Sequence, residues 1–478
     1  MLNRSLMAHA RALEKKEYSS LELTRAYLKQ IEAKDPEVGA YLFVCAEEAE
    51  ASAKESDLRR AKGATLGVLD GIPYGAKDNL STRWIPTTCG SLYLQNYIPP
   101  YSATVIRRLD EAGAVLLGKL NMDEFGMGST TEHSAFHPTK NPVDPLRSPG
   151  GSSGGSAAAL RAHMAVFTLG SDTGGSVRQP ASHCGVVGMK PTYGSVSRYG
   201  LCAFASSLEQ IGPLTATVEE NELLLSFLRG RDPHDATTRS PSAPQDVPEI
   251  SKLRVAIPSQ LMGNEISVSV RNTVLDAAEQ LRRAGAKVEE ISLPSLAYAT
   301  AAYYILSAAE ASSNLARMDG VRFGAQAKDP RDLSELYRRS RSEGFGTEVK
   351  RRILLGTFVL SEGYREHYYE HAVRAKNLFC RELARCFESY DLLLSPVAPT
   401  TAPLLGQAIT DPTQVYRQDL CTVPANLGGV PALSLPFGQS EEGLPIGVQL
   451  MGPSHSESLL YRVGRELELC RTASGGVR

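Results

Sequence analysis

The first sixty residues place apolar positions at helical spacing. Ser19 and Glu22 have the spacing of a capping box, and an amphipathic run from Leu23 to Ile31 follows them. This pattern is typical of a helix that packs on a core, although a helix that docks a partner has the same pattern. We therefore predict a helical N-terminal segment over about residues 1–62.

From residue 65 the pattern changes to short apolar runs that alternate with amphipathic stretches. Thr104 to Ala112 has helical spacing, Gly113 suits the C-terminal cap, and the apolar run 114–117 is typical of a buried strand. The same alternation predicts a strand at 253–257, a helix at 268–284 and a strand at 287–293. The segment from about 297 to 390 has a mainly helical pattern. Strands are predicted after it at 391–395, 432–436 and 446–451.

Alternation of strand, helix and strand predicts an α/β fold with a mixed, mostly parallel sheet covered by helices on both faces. The helical stretch 297–390 is interpreted as an insertion into this fold. Neither an internal repeat nor a composition break divides the sequence. We therefore expect a single domain over residues 1–478.

Composition narrows the class of protein. The chain has 478 residues, 22% of them charged, and a net charge of −2, which gives no sign of nucleic-acid or membrane binding through overall charge. Its eight scattered cysteines form no C-x-x-C pair, so we expect reduced thiols and no disulfide framework or metal site. The N-terminus lacks the apolar stretch of a signal peptide, and we expect a cytoplasmic protein without a membrane span.

The most unusual composition lies between Pro149 and Pro180, where Ser152 and Ser176 each belong to a glycine-rich site. A flexible linker has a similar composition, but the predicted helix and buried strand between the two sites argue against a linker. A phosphate-binding loop is excluded because no Gly-Lys-Ser/Thr follows the glycines. A lipase-type elbow fails because neither site reads G-x-S-x-G and no histidine is evident as a base.

A serine nucleophile with a lysine base is the remaining arrangement. Such a lysine must be neutral, so burial must lower its pKa from ~10.4 toward ~7. Lys77 fits this requirement because small and apolar residues precede it in G-I-P-Y-G-A-K-D, residues 71–78. The alternative, a structural lysine paired with Asp78 or Asp70, stays open at this point.

Three motifs together resemble the amidase signature family: G-I-P-Y-G-A-K-D at 71–78, G-G-S-S-G-G-S at 150–156, and G-S-D-T-G-G-S-V-R-Q-P-A at 170–181. The resemblance implies that Ser176 is the acylated nucleophile. Ser152, after a cis peptide bond, would relay its proton to Lys77. The resemblance further implies an oxyanion hole made by backbone N–H groups of Thr173, Gly174, Gly175 and Ser176.

Within that family the chain is most similar to the glutaminase subunits of tRNA-dependent amidotransferases, from about residue 5 to 460. Free glutamine is a zwitterion, so its pocket needs a cation for the carboxylate and an anion for the ammonium. The resemblance assigns these roles to Arg352 and Asp419, whereas sequence alone also allows a solvated basic face and a surface acid. The further substrate-binding residues that it implies are Tyr303, Gly128 and Ser129.

The same resemblance implies the B and C subunits of the amidotransferase as partners. ATP, Mg²⁺ and most contacts to the misacylated tRNA would belong to the B subunit, and this chain would need no cofactor or metal of its own. The sequence leaves open whether the tRNA is Glu-tRNA(Gln) or Asp-tRNA(Asn). Two alternatives are a free-standing amidase for another small amide and a catalytically inactive scaffold subunit.

Two positions depart from the family pattern. Ser182 and His183 occupy positions where small and aromatic residues are usual in the family. His183 lies only seven residues after the predicted nucleophile, Ser176. Trp84, the only tryptophan, stands where glycine is expected. Neither residue belongs to the predicted catalytic set, but His183 could change the pocket lining or the local proton balance.

Overall fold

The computed structural model describes residues 1–240, 247–407 and 416–473, with side chains through residue 470. The strands in these ranges are β1 (Tyr41–Val44), β2 (Pro73–Lys77), β3 (Val115–Leu120), β4 (Phe167–Asp172), β5 (Val187–Lys190), β6 (Gln210–Thr215), β7 (Arg254–Pro258), β8 (Lys287–Ile291), β9 (Leu392–Pro396), β10 (Ala432–Gln439) and β11 (Pro445–Met451). They form one sheet in the order β1-β3-β2-β4-β6-β5-β10-β11-β9-β7-β8.

The α-helices in the same ranges are α1 (Leu6–Glu14), α2 (Ser20–Val38), α3 (Ala46–Ala61), α4 (Thr104–Glu111), α5 (Gly154–Arg161), α6 (Arg178–Cys184), α7 (Val218–Leu228), α8 (Val268–Arg283), α9 (Ala299–Asn314), α10 (Leu333–Gly344), α11 (Thr347–Leu360), α12 (Tyr369–Ser389), α13 (Val423–Leu427) and α14 (Glu457–Ala473). Short 3₁₀ helices lie at Leu92–Leu94, Glu124–Gly126, Ile250–Lys252, Ser259–Leu261, Pro294–Tyr298 and Leu315–Arg317.

The mixed α/β sheet is confirmed, but the expected predominance of parallel pairs is wrong. Among the described strands, four pairings are parallel and six are antiparallel. The parallel pairs join β3 to β2, β2 to β4, β9 to β7 and β7 to β8. The centre of the sheet is antiparallel because β10 and β11 form a hairpin and β5 pairs antiparallel with β6 and β10.

Helices cover both faces of the sheet. Successive residues of a strand point to opposite faces, and on β7 Val255 and Ile257 join one hydrophobic cluster while Ala256 joins another. On β9, Leu393 likewise packs with the second cluster, apart from its neighbours. The first cluster includes side chains of α8 and α14, and the second includes those of α9 and α12. The predicted covering of both faces is therefore present.

The N-terminal segment is less uniform than predicted. Ser19 and Glu22 form the predicted capping box at the start of α2. The segment 1–62 also contains the strand β1, which pairs antiparallel with β3 at the edge of the sheet. The segment 297–390 contains α9 to α12, in line with its helical pattern. The single domain over 1–478 stays a prediction, and residues 241–246, 408–415 and 474–478 of it lie outside the described residues.

No helix in the described ranges is both long enough and apolar enough to cross a bilayer. Across those same ranges, no three His, Cys, Asp or Glu side chains are grouped so that they could hold a metal ion. The described cysteines are free thiols, and most of them are buried.

Candidate active site

Three neighbouring parallel strands deliver polar residues to one edge of the sheet. Lys77 is the last residue of β2, and Ser171 and Asp172 are the last two residues of β4. Asp123 follows β3 by three residues. Because β3, β2 and β4 run parallel, their carboxyl ends meet at the same edge. This edge holds the lysine and, beside it, the two glycine-rich loops.

Lys77 is completely buried, and its amine is surrounded by hydroxyl groups. Its Nζ lies 2.7 Å from Ser152 Oγ, 2.8 Å from Ser153 Oγ and 3.0 Å from Ser171 Oγ. Within the described part of the chain, no carboxylate forms an ion pair with it. The structural alternative from the sequence is wrong, because Asp78 pairs with Lys119 and Asp70 pairs with Arg59.

Burial lowers the pKa of Lys77 from its ordinary value to about 7, and the more distant charges of Asp123 and Asp172 oppose this shift only in part. A charged ammonium is strongly disfavoured without water or a counter-ion, so the neutral amine is well populated near neutral pH. A neutral amine has a lone pair that can accept a proton from the hydroxyl of Ser152. The geometry and the pKa thus both suit a base.

The relay loop, which we define as residues 148–154, holds Ser152 beside the lysine. The Gly151–Ser152 peptide bond is cis. A side chain at Gly151 would force its neighbours to shift, because a Cβ there would lie 2.2 Å from Asp123 Oδ2 and 2.6 Å from the backbone nitrogen of Thr130. The backbone of the loop therefore packs directly on its neighbours, and Ser152 is buried.

Ser176 follows β4 in a tight turn, just before α6. Its side chain is 8% exposed and makes no hydrogen bond within the described residues. The turn is fastened to the relay loop because the backbone N–H of Ser153 donates to the carbonyl oxygen of Ser176 at 3.0 Å. No hydrogen bond joins the hydroxyls of Ser152 and Ser176 in the described structure, so that step of the relay stays a prediction.

A buried ion pair that the sequence analysis missed shapes the turn around Ser176. Arg178 donates to both carboxylate oxygens of Asp172, each at 2.9 Å, and both side chains are fully buried. Burial alone would raise the pKa of Asp172, but Arg178 and the hydrogen bonds from Asn426 hold it well below the usual range. Both residues lie in the 170–181 motif. An acid and an arginine six residues apart in this glycine-rich motif were the sequence signal that could have indicated the ion pair.

The predicted oxyanion hole needs one correction. The backbone N–H of Gly175 donates to Asp172 Oδ1 at 2.9 Å, so it is already used by the ion pair that shapes the turn. The backbone N–H groups of Thr173, Gly174 and Ser176 have no acceptor among the described residues. These three amides are the donors that the turn can offer to a negatively charged oxygen.

Asp419 forms the acidic side of the predicted glutamine pocket. It accepts hydrogen bonds from Ser129 at 2.9 Å and from Tyr304 at 2.5 Å. Burial raises its pKa to about 6, against the opposing hydrogen bonds and the charge of Arg352. The sequence analysis missed Tyr304 because the family resemblance implies only its neighbour Tyr303 as a substrate-binding residue. A carboxylate that is still ionised at neutral pH and largely shielded from water suits an ammonium group.

Arg352 forms the basic side of the pocket. Its Nε donates to Glu348 Oε1 at 2.7 Å, and its guanidinium lies 4.7 Å from the centre of the Tyr304 ring. One terminal nitrogen, Nη1, is buried without a hydrogen-bond partner in the described residues. Because a buried guanidinium N–H without an acceptor is costly, this atom fits an anionic group of a substrate. The solvated basic face considered for Arg352 is wrong, since the side chain is buried.

Tyr303 and Gly128 connect the pocket to the catalytic loops. A Cβ at Gly174 would lie 2.4 Å from the hydroxyl of Tyr303, so Tyr303 reaches the turn that carries Ser176. A Cβ at Gly128 would lie 2.4 Å from Cγ of Asp123. Asp123 also packs against Gly151, so Gly128 lies close to the relay loop. All five predicted pocket residues thus lie around Tyr304 or beside the catalytic loops.

The two departures from the family pattern lie outside the pocket. His183 is buried with neither ring nitrogen hydrogen-bonded in the described structure, and burial lowers its pKa to about 4, so it is neutral at pH 7. It lies behind the relay loop, where a Cβ at Gly150 would be 3.1 Å from its Nδ1. Trp84 is exposed and has a φ of 63°. Neither contacts Lys77, Ser152 or Ser176.

Comparison with known proteins gives one family. The family model described as Amidase matches residues 22–461. The A subunit of glutamyl-tRNA(Gln) amidotransferase from Desulforamulus reducens is 50% identical over 460 residues, and the alignment covers 95% of each chain. The protein of the same name from Moorella thermoacetica is 52% identical and covers 95% of this chain and 94% of the relative.

Solved structures agree with this result. The crystal structure of the glutamyl-tRNA(Gln) amidotransferase A subunit from Thermotoga maritima has a TM-score of 0.81 at 41% identity, covering 98% of this chain and 94% of that chain. The native peptide amidase from Stenotrophomonas maltophilia also has a TM-score of 0.81, at 28% identity, with 100% and 98% coverage. The same fold therefore serves proteins with different amide substrates.

The pH dependence of amide hydrolysis should report the protonation of Lys77. We expect kcat/KM to rise with pH with a midpoint near 7, because the lysine is protonated below its pKa of about 7 and only the neutral amine accepts a proton. The check is a pH–rate profile of the full-length chain, with Lys77→Ala as the variant that removes the base. A flat profile from about pH 6 to 9, or an active Lys77→Ala variant, would contradict this assignment.

Proposed function

The chain belongs to the amidase family, and from this premise we propose that it is the glutamine-hydrolysing subunit of a tRNA-dependent amidotransferase. Its similarity to the relatives named as the A subunit of glutamyl-tRNA(Gln) amidotransferase extends over nearly the whole chain. The chain is an amide hydrolase in this proposal, and glutamine is its substrate. The ammonia that it releases serves the amidation of a misacylated tRNA.

The observation that carries the proposal is a buried carboxylate, Asp419, and a buried guanidinium, Arg352, close to each other and beside a lysine–serine site. Asp419 and Arg352 both contact Tyr304, one through its hydroxyl and the other over its ring. A free amino acid presents an ammonium and a carboxylate that match this pair. In an amidase for neutral, apolar amides, Asp419 would stay without an ion pair. Arg352 Nη1 would also stay without an acceptor, since Glu348 pairs only with Nε, and both are costly in a buried site.

The arrangement supports a two-stage hydrolysis. Ser176 Oγ attacks the side-chain carbonyl carbon of glutamine, and its proton passes through Ser152 to the neutral Lys77. The negative oxygen of the tetrahedral intermediate accepts hydrogen bonds from the three free amides of the turn. The proton returns through Ser152 to the leaving nitrogen, so ammonia departs and a glutamyl ester remains on Ser176. Water then cleaves this ester by the same proton path and releases glutamate.

Partner subunits complete the reaction that we propose. The B subunit would use ATP and Mg²⁺ to activate the acyl group of the misacylated tRNA and would receive the ammonia, and the small C subunit would clasp this chain. The sequence of this chain contains no glycine-rich loop followed by Lys-Ser/Thr for ATP. We place this complex in the cytoplasm. The relatives are named as one lettered subunit of an amidotransferase, which supports a role in a multi-subunit assembly.

Replacement of Arg352 tests the substrate. Arg352→Ala should lower kcat/KM for glutamine by about 100-fold, because the substrate carboxylate loses a buried charge partner, while turnover of a neutral amide such as propionamide should change far less. Arg351→Ala is the matched control, since Arg351 also pairs with Glu348 at 2.5 Å but is much more exposed. Steady-state kinetics on both substrates gives the answer. Equal losses on both would favour a free-standing amidase of another small amide.

Isolation of the native complex tests the assembly. We expect the tagged chain to co-purify with two other subunits. The complex should convert Glu-tRNA(Gln) or Asp-tRNA(Asn) to its amide when glutamine and ATP are present, and should do so far less with Ser176→Ala. Mass spectrometry should find a glutamyl adduct on Ser176 of the wild-type chain. A complex that amidates tRNA from glutamine equally well with Ser176→Ala would favour the inactive-scaffold alternative.

A further inference from the structure

The segment from Gly128 to Thr131, which we call the bridging loop, contacts both halves of the site. At one end, Ser129 donates a hydrogen bond to Asp419 in the pocket. At the other end, Thr131 contacts the relay loop that carries Ser152. Between them, the carbonyl oxygen of Thr130 accepts a hydrogen bond from Ser148 at 2.7 Å. Thr131 takes no part in the chemistry described above.

The hydroxyl of Thr131 hydrogen-bonds to the relay loop on both sides of Ser152. It donates to the carbonyl oxygen of Gly150 at 2.8 Å and accepts from the backbone N–H of Gly154 at 3.1 Å. These partners stand two residues before and two residues after Ser152. One oxygen atom therefore fixes both ends of the short stretch that presents Ser152 to Lys77. Thr131 is completely buried, so water cannot replace either hydrogen bond without a rearrangement.

The backbone of Thr131 is held in a costly conformation. Its φ is 57°, in the left-handed region that a β-branched residue avoids at a cost on the order of 1–3 kcal/mol. The N–H of Thr131 donates to Asp123 Oδ2 at 2.9 Å, and Asp123 also accepts from the N–H of His133 at 3.1 Å. Glycine would adopt this backbone without strain. A threonine at such a position indicates that its hydroxyl is needed.

We propose that Thr131 is a positioning residue that sets the place of Ser152 between Lys77 and Ser176. The inference rests on the proposed function, since the relay is the step that it serves. Loss of the hydroxyl would leave the Gly150 carbonyl and the Gly154 amide without a partner and let the relay loop shift. Displacement of a catalytic group by about 1 Å can lower a rate by as much as 100-fold. Substrate binding at Arg352 and Asp419 would be affected much less.

Three variants of Thr131 separate these effects. Thr131→Val keeps the shape and loses the hydroxyl, and we expect kcat to fall on the order of 10- to 100-fold with KM within about twofold. Thr131→Ser keeps the hydroxyl and should restore most of kcat. Thr131→Gly loses the hydroxyl and removes the backbone strain, so it should fold well and still show the loss in kcat.

Thr139→Val is the matched control. Thr139 is also fully buried, and its hydroxyl likewise donates to a carbonyl oxygen, that of Gly39 at 2.7 Å, and accepts an N–H, that of the Asn121 side chain at 3.0 Å. The partners of its hydroxyl lie outside the relay loop, and its backbone N–H, which donates to the carbonyl oxygen of Thr131 at 3.2 Å, is kept in Thr139→Val. We expect this variant to keep both kcat and KM, although its thermal stability should fall to a similar degree as that of Thr131→Val.

The assay uses the full-length chain in its native complex, with glutamine and with a neutral amide. If the wild-type complex hydrolysed the neutral amide but not glutamine, the proposed function would be contradicted. The effect of Thr131→Val on kcat for the neutral amide would then still test the role of Thr131 in the relay. Three results would overturn the role of Thr131 itself. They are an unchanged kcat in Thr131→Val or Thr131→Gly, a Thr131→Ser variant as slow as Thr131→Val, and an equal loss of kcat in Thr139→Val.

Discussion

Lys77 Nζ lies fully buried among three serine hydroxyls, and the acids closest to it in sequence are bound to other cations. Burial lowers the pKa of Lys77 to about 7, and no ion pair among the described residues offsets this effect. Asp78 is engaged by Lys119, and Asp172 is engaged by Arg178, so neither carboxylate can approach the amine to hold its proton. The acids nearest to Lys77 in sequence are thus bound to other cations, and its amine has no ion-pair partner among the described residues.

The fold could be predicted where its signals are local. The strands and helix at 253–291 were predicted closely, because apolar runs and a glycine cap mark β7, α8 and β8 in the sequence itself. The strand β1 was missed because it has only four residues, two of them exposed, between two helices. The antiparallel centre of the sheet was missed because β5 pairs with β10, more than two hundred residues away, and no local pattern encodes such a pairing.

The site could be predicted as far as its motifs reach. The glycine-rich loops and the apolar setting of Lys77 are local features of the sequence. The structure brings Lys77, Ser152 and the turn of Ser176 together, and their catalytic roles stay predictions. Contacts that depend on the fold could not be inferred in this way. The sequence does not tell which of two adjacent buried tyrosines meets Asp419, and in the structure it is Tyr304. Nor does it tell that the amide of Gly175 turns toward Asp172 and away from a substrate oxygen.

The most direct test of this account is the protonation state of Lys77 in the folded protein. Lysine labelled with ¹³C at Cε, with the Lys77 signal identified by its loss in Lys77→Met, would give the titration curve of this one amine by NMR. We predict a midpoint near pH 7. A midpoint at or above about 10, the value of an ordinary exposed lysine, would contradict it.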